Sequence, residues 1–136
     1  MTAPDTSVLI AGFDSAHPFH PVAQRALSDV RRRGRTIGHT LAETVSVLTA
    51  PGPYGFAAEP VRAYLEPFLE REPLGLAPRD YPRVLEELVG LEISGGAIYD
   101  ALIAVGAREG RATLVSLDRR AATTYRRCHA EYELLL

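Results

Sequence analysis

Asp5, Glu43, Asp100 and Asp118 are the residues of this sequence best placed to do chemistry. Asp100 stands out first. It lies in the run Gly95-Gly96-Ala97-Ile98-Tyr99-Asp100-Ala101-Leu102-Ile103-Ala104-Val105-Gly106-Ala107, which reads as a helix apolar on nearly every side and therefore as part of a core. A buried carboxylate without a partner is costly. It must be protonated, hydrogen-bonded, paired with a cation or bound to metal. A salt bridge to a distant arginine is the plainest of these solutions. The other three acids stand where a strand is predicted to give way to a helix: Asp5 after the first strand, Glu43 in the first turn after the second, Asp118 after the fourth.

Taken singly, each has a structural explanation. Asp5 and Asp118 are of a type that caps helices. Glu43 points away from the Leu41, Val45 and Leu48 stripe, as an exposed residue favouring the helix dipole would. Taken together, the acids would converge on one edge of a sheet. Two carboxylates about 4 Å apart repel by roughly 4 kcal/mol at an effective dielectric of about 20, so a dry acidic cluster is unfavourable alone. A divalent cation reverses that sign. Oxygen donors without an attached histidine or cysteine suit Mg²⁺ or Mn²⁺ better than Zn²⁺. Such sites typically serve phosphoryl chemistry, where the ion polarises a phosphate oxygen and lowers the pKa of an attacking water.

The elements that must position these acids can be read from the pattern. A short first strand ends near Asp5, before an apolar helical turn through Val8, Leu9 and Ile10. Pro21 opens a helix to about Arg33, ended by Gly34. Thr36 to His39 reads as a second strand, followed by a helix from Thr40 or Leu41 to about Ala50. The Pro51-to-Gly55 loop stops that helix. Val61, Tyr64, Leu65, Phe68 and Leu69 stripe the next helix, and Leu74-Gly75-Leu76 reads as a third strand. Asp80 can cap a helix whose Tyr81, Val84, Leu85 and Leu88 face inward. Thr113 to Ser116 is the fourth strand, Arg119 to Arg127 the last helix, and Tyr132 to Leu135 a candidate edge strand. Short strands alternating with helices predict an α/β class, a sandwich around a mostly parallel sheet of four to five strands, with ligands at the strands' carboxyl ends.

Composition excludes several classes. The chain has 136 residues, enough for one domain spanning 1–136 with its own core. It holds no lysine, which removes a Walker-type phosphate loop and a Schiff base. Cys128 is the only cysteine, so there is no internal disulfide and no multi-cysteine zinc site. No membrane span or signal peptide is evident, and an intracellular, cytoplasmic protein is the economical expectation. The formal net charge is −2, yet arginines cluster at Arg31, Arg32, Arg33 and Arg35 and again from Arg108 to Arg127. Either cluster can be a solvated face or a phosphate-tracking patch.

The segments Asp5-Thr6-Ser7-Val8-Leu9-Ile10, Glu43, Tyr99-Asp100-Ala101-Leu102-Ile103-Ala104 and Leu114-Val115-Ser116-Leu117-Asp118-Arg119-Arg120-Ala121 resemble the ordered motifs of PIN domains, nearest to VapC-type toxin ribonucleases. The resemblance runs from residue 5 to the Tyr132-Glu133-Leu134-Leu135 tail. It implies a PIN-like three-layer α/β/α sandwich and Mg²⁺-dependent endonucleolytic cleavage of RNA, with Mn²⁺ able to substitute. By motif match, Asp5 and Asp100 are the principal metal ligands and Asp118 completes the set. Glu43 would position or deprotonate the attacking water, or bind a second ion. Thr6 and Ser116 occupy the places of hydroxyl residues that orient the acids. The resemblance further implies a tRNA or rRNA substrate, a VapB-type antitoxin partner and a homodimer. Pro4 departs from the pattern: it sits in the first strand, where it removes a ladder donor.

Rival readings are weaker. The His17/His20 pair has metal-like spacing but sits among Pro18 and Pro21, a loop context. No G-x-S-x-G elbow accompanies the serines. A phosphoaspartate protein needs an acidic companion to Asp5 and usually a lysine. A catalytically silent PIN-like module that binds RNA or protein is the alternative, and retention of all four acids argues against it.

Overall fold

The computed structural model describes residues 1–136. Three parallel strands form its sheet in the order β1 (Thr2–Pro4), β2 (Thr113–Ser116), β3 (Tyr132–Leu134). β2 is central, with Pro4 opposite Val115 on one side and Ser116 opposite Leu134 on the other. Side chains alternate across a strand, so consecutive residues of β2 serve different layers. Leu114 packs into the core beneath α5 (Tyr81–Gly90), α6 (Ala97–Glu109) and α7 (Arg119–Arg127). Val115 packs into the opposite core with α1 (Thr6–Phe13), α2 (His20–Arg33), α3 (Gly38–Thr49) and α4 (Ala58–Leu65). This is the expected three-layer α/β/α sandwich. No helix is long and apolar enough to cross a membrane.

The sheet is narrower than the four to five strands expected. Neither Thr36–His39 nor Leu74–Leu76 forms a strand; they meet in one parallel bridge, Ile37 with Leu74. Pro4 supplies a physical reason. Arg35 N–H donates to the Thr2 carbonyl at 3.2 Å, and a parallel ladder would return a bond from the amide of residue 4. Proline has none. The ladder halts there, and α3 begins at Gly38, taking His39 into its first turn. Gly34 is obligatory at this junction, because a Cβ on it would lie 2.3 Å from the Thr2 carbonyl oxygen. Any side chain there would push α2 off the strand.

Two helices bury less than their patterns suggest. In α5, Val84 and Leu88 are fully buried while Tyr81 and Leu85 are exposed, and Asp80 makes no capping bond. After α4 the chain tightens into a 3-10 turn at Glu66–Leu69, which leaves Leu69 in solvent. The Asp100 helix, by contrast, is as apolar in place as in sequence: Ala101, Ile103, Ala104, Val105, Gly106 and Ala107 are all buried.

Candidate active site

Parallel strands point their carboxyl ends the same way, and the chain leaves β1 and β2 with an aspartate each time. Asp5 caps α1: its Oδ1 accepts the Val8 amide at 3.2 Å. Asp118 caps α7, its Oδ1 accepting the Arg120 and Ala121 amides at 2.9 and 3.2 Å. Both capping explanations are therefore correct, and the caps are also what aims the two carboxylates at the same sheet edge. Asp100 enters from the first turn of α6, and Glu43 from the second turn of α3.

Electrostatics brings the four together. The Asp100 carboxyl is pushed up to about 6, first by burial and then by the negative charges of Glu43, Asp118 and Asp5, with His39 opposing. The charges that act on Asp100 most are thus three carboxylates and a histidine, and it enters none of the molecule's ion pairs. The arginine partner that would have explained it away is absent. Asp5, 2% exposed, is likewise raised by burial against the pull of its hydrogen bonds.

A hydroxyl network fixes Asp5. Tyr125, wholly inside the core, donates its phenol O–H to Asp5 Oδ2 at 3.0 Å. Ser7 donates to Oδ1 and at the same time accepts the Leu117 amide at 2.9 Å. Ser116 accepts the Asp118 amide at 3.0 Å, and its hydroxyl lies near enough to the same carboxylate to draw its pKa down. Two serines thus tie Asp5 to the β2–α7 turn that carries Asp118. Thr6 Oγ1 is buried without a hydrogen-bond partner, whereas its neighbour Ser7 holds the carboxylate.

That division is testable. Ser7→Ala removes a hydroxyl that holds both Asp5 and the Leu117 amide, and leaves the part-buried Leu117 N–H without its acceptor while Asp5 Oδ1 keeps only the Val8 amide. An unfolding free energy lower by about 1–3 kcal/mol is expected, read as a lower urea midpoint at unchanged slope. Thr6→Val replaces an unpartnered hydroxyl with a methyl of similar volume and should leave the midpoint unchanged or slightly raised. Equal losses in the two variants would contradict the assignment.

The remaining candidates separate cleanly. His20 Nδ1 lies 2.7 Å from the Ala11 carbonyl, so that nitrogen carries the proton, while His17 Nδ1 accepts the Phe19 amide at 3.0 Å. Both histidines serve the turn entering α2. His39 is different: its Nε2 is 3.5 Å from Glu43 Oε2, and its ring stacks on Tyr99. Of the arginines, Arg32 and Arg33 pair with Asp29, and Arg108 with Glu87 and Glu109. Arg119 and Arg120 are exposed in the first turn of α7, directly after Asp118. Tyr125 and Ser7 were not singled out by sequence; no spacing rule links a tyrosine to an aspartate 120 residues earlier.

The donor set is all oxygen and anionic. No three histidine, cysteine, aspartate or glutamate side chains stand close enough, as placed, to enclose a cation among themselves. That geometry still suits Mg²⁺, which dehydrates reluctantly and is held by one or two carboxylates with several waters rather than by an all-protein cage. It does not suit a structural zinc.

The PIN domain family matches this chain over residues 3–127. Two curated relatives extend the likeness. Ribonuclease VapC40 of Mycobacterium tuberculosis is 41% identical over 136 residues, 99% of each chain. Ribonuclease VapC27 of the same species (strain H37Rv) is 39% identical over 125 residues, 90% of this chain and 88% of its own. A sandwich with aspartates at the carboxyl ends of neighbouring parallel strands, and a likeness unbroken from end to end, leave one conclusion: the chain belongs to the PIN-domain family and is of the VapC type.

Proposed function

We propose that the protein is a divalent-metal-dependent endoribonuclease, the toxin of a toxin–antitoxin pair. The observation that carries this reading is the mutual repulsion of four carboxylates at one sheet edge, with Asp100 raised to about 6 despite the opposing pull of His39 and in no ion pair with an arginine. Full-length likeness to ribonucleases supports it.

In this reading Asp5 and Asp100 hold Mg²⁺, and Asp118 joins them directly or through water. When bound, the ion supplies Lewis-acid polarisation of the scissile phosphate and a lower pKa for an attacking water. Asp5 is kept in one orientation by Tyr125, Ser7 and Ser116, so its oxygens need no reorganisation before reaction. Glu43 stands at the edge of the group, half exposed, where a carboxylate can accept a proton from water. Arg119 and Arg120 offer exposed guanidinium groups beside Asp118 for the flanking phosphates. In-line attack by water leaves a 5′-phosphate and a 3′-hydroxyl.

A cognate VapB-type antitoxin and a homodimer are further parts of this reading. Support for a docking partner comes from the apolar groove of Leu41, Ala42, Val45, Leu65 and Leu69, which shares α3 with Glu43. The substrate is tRNA or rRNA. A binding-only protein is the second reading, and one experiment separates the two. Purified, partner-free protein is incubated with total RNA and Mg²⁺, and product ends are mapped. Discrete products that ligate through 5′-phosphates are expected. Persistent binding without products would favour the binding module.

A further inference from the structure

His39 and Tyr99 lie beside the acids without being acids. Their rings stack with centroids 5.4 Å apart and planes 3° from parallel, the offset arrangement that aromatic rings prefer. Each ring is tied to a carboxylate by the helix that carries it. His39 precedes Glu43 by one turn of α3, and Tyr99 immediately precedes Asp100 on α6. The pair therefore bridges the two helices beside the acidic sheet edge. It is no part of the core, for Tyr99 is 54% exposed while Tyr125 is 1% exposed. Stacked on an imidazole and still over half in water, Tyr99 keeps aromatic surface open to a second ring.

The electrostatics gives that open surface a use. Four carboxylates at one edge repel a polyanion, so RNA held there gains, beyond the Arg119 and Arg120 contacts to its phosphates, from an anchor that does not depend on charge. Base–aromatic stacking is such an anchor, and it tolerates any base because every base has a π-face. The imidazole behind Tyr99 restricts the ring's rotation, which lowers the entropy lost on binding. We propose that Tyr99, backed by His39, is the stacking platform for an unpaired nucleobase of the RNA lying across the acidic edge. This rests on the nuclease reading for the identity of the ligand. It implies single-stranded or looped RNA, since a paired base cannot offer its face.

The test uses the whole protein and a short single-stranded RNA carrying 2-aminopurine, whose fluorescence falls when the base stacks. Binding is read in EDTA and cleavage separately in Mg²⁺. Wild-type protein should quench the probe. Tyr99→Ala, at an exposed position, should lose the quenching and bind between about five- and a hundredfold more weakly, raising KM more than it lowers kcat. Tyr99→Phe should restore both, because the ring and not the hydroxyl does the work. His39→Ala should give an intermediate loss. Tyr99→Ala indistinguishable from wild type in quenching and KM overturns the platform, as does Tyr99→Phe as weak as Tyr99→Ala. Should the wild type quench through Tyr99 yet never cut, the platform stands and the nuclease reading falls. If it cuts without any dependence on Tyr99, the platform alone falls; a failure to bind the probe at all removes it too.

Discussion

Asp100→Asn should lower RNA cleavage by about a thousandfold or more while making the metal-free protein slightly more stable. The two effects have one cause. Asp100 carries a charge that its surroundings disfavour, its carboxyl being raised from 3.8 to about 6 by burial and by Glu43, Asp118 and Asp5. Below the unfolded value, folded and unfolded chains both hold the proton. Between the two values only the folded chain holds it, so stability that is fully present at low pH is lost as pH rises through about 6. A displacement of that size corresponds to about 3 kcal/mol, of which roughly 1 kcal/mol survives for a half-exposed group screened by solvent. The amide keeps the size and loses the charge. At pH 7.5 the variant should melt higher than wild type, and the gap should close on acidification to pH 4. Cleavage falls because the amide withdraws an anionic oxygen where Mg²⁺ charge stabilisation amounts to several kcal/mol, at about 1.4 kcal/mol per tenfold in rate. A structural residue would lose stability and activity together. Undiminished cutting by the variant would remove Asp100 from the reaction.

The acid positions were legible in the sequence because they follow from strand–helix punctuation. An aspartate after a short apolar strand and before a helix must lie at that strand's carboxyl end, and parallel strands align those ends. The caps of Asp5 and Asp118 follow from residue type alone. What positions them was harder to see. Thr6 and Ser7 are both hydroxyls next to Asp5, and only the register of β2 decides which one meets the Leu117 amide. Tyr125 reads as one more apolar residue of the last helix until the fold places its phenol against Asp5. The missing strands have the same origin. Thr36-Ile37 and Leu74 carry strand-like residues, but strand formation depends on what the neighbour can donate, and Pro4 donates nothing. The stacking of His39 on Tyr99 depends on how α3 and α6 approach, which neither helix records in its own pattern.

Chelation should stop cleavage completely, and Mg²⁺ or Mn²⁺ should restore it. Asp5 and Asp100 are both raised by burial, and Asp100 is raised further by its acidic neighbours, so a bound cation is what lets the two carboxylates act as anions together. His39, the nearest ring nitrogen, stands by Glu43 without a second partner of that kind. A stability readout makes the prediction independent of turnover. A ligand that binds only the folded chain stabilises it by about 2.7 kcal/mol at a hundred times its Kd, so saturating Mg²⁺ should raise the melting temperature of wild type. It should raise that of Asp100→Asn far less. The same increment should shrink as pH falls below about 6, because the proton on Asp100 competes with the ion for the same oxygens. A melting temperature indifferent to Mg²⁺ at pH 7.5, with cleavage surviving EDTA, would leave the four acids as helix caps and surface charge.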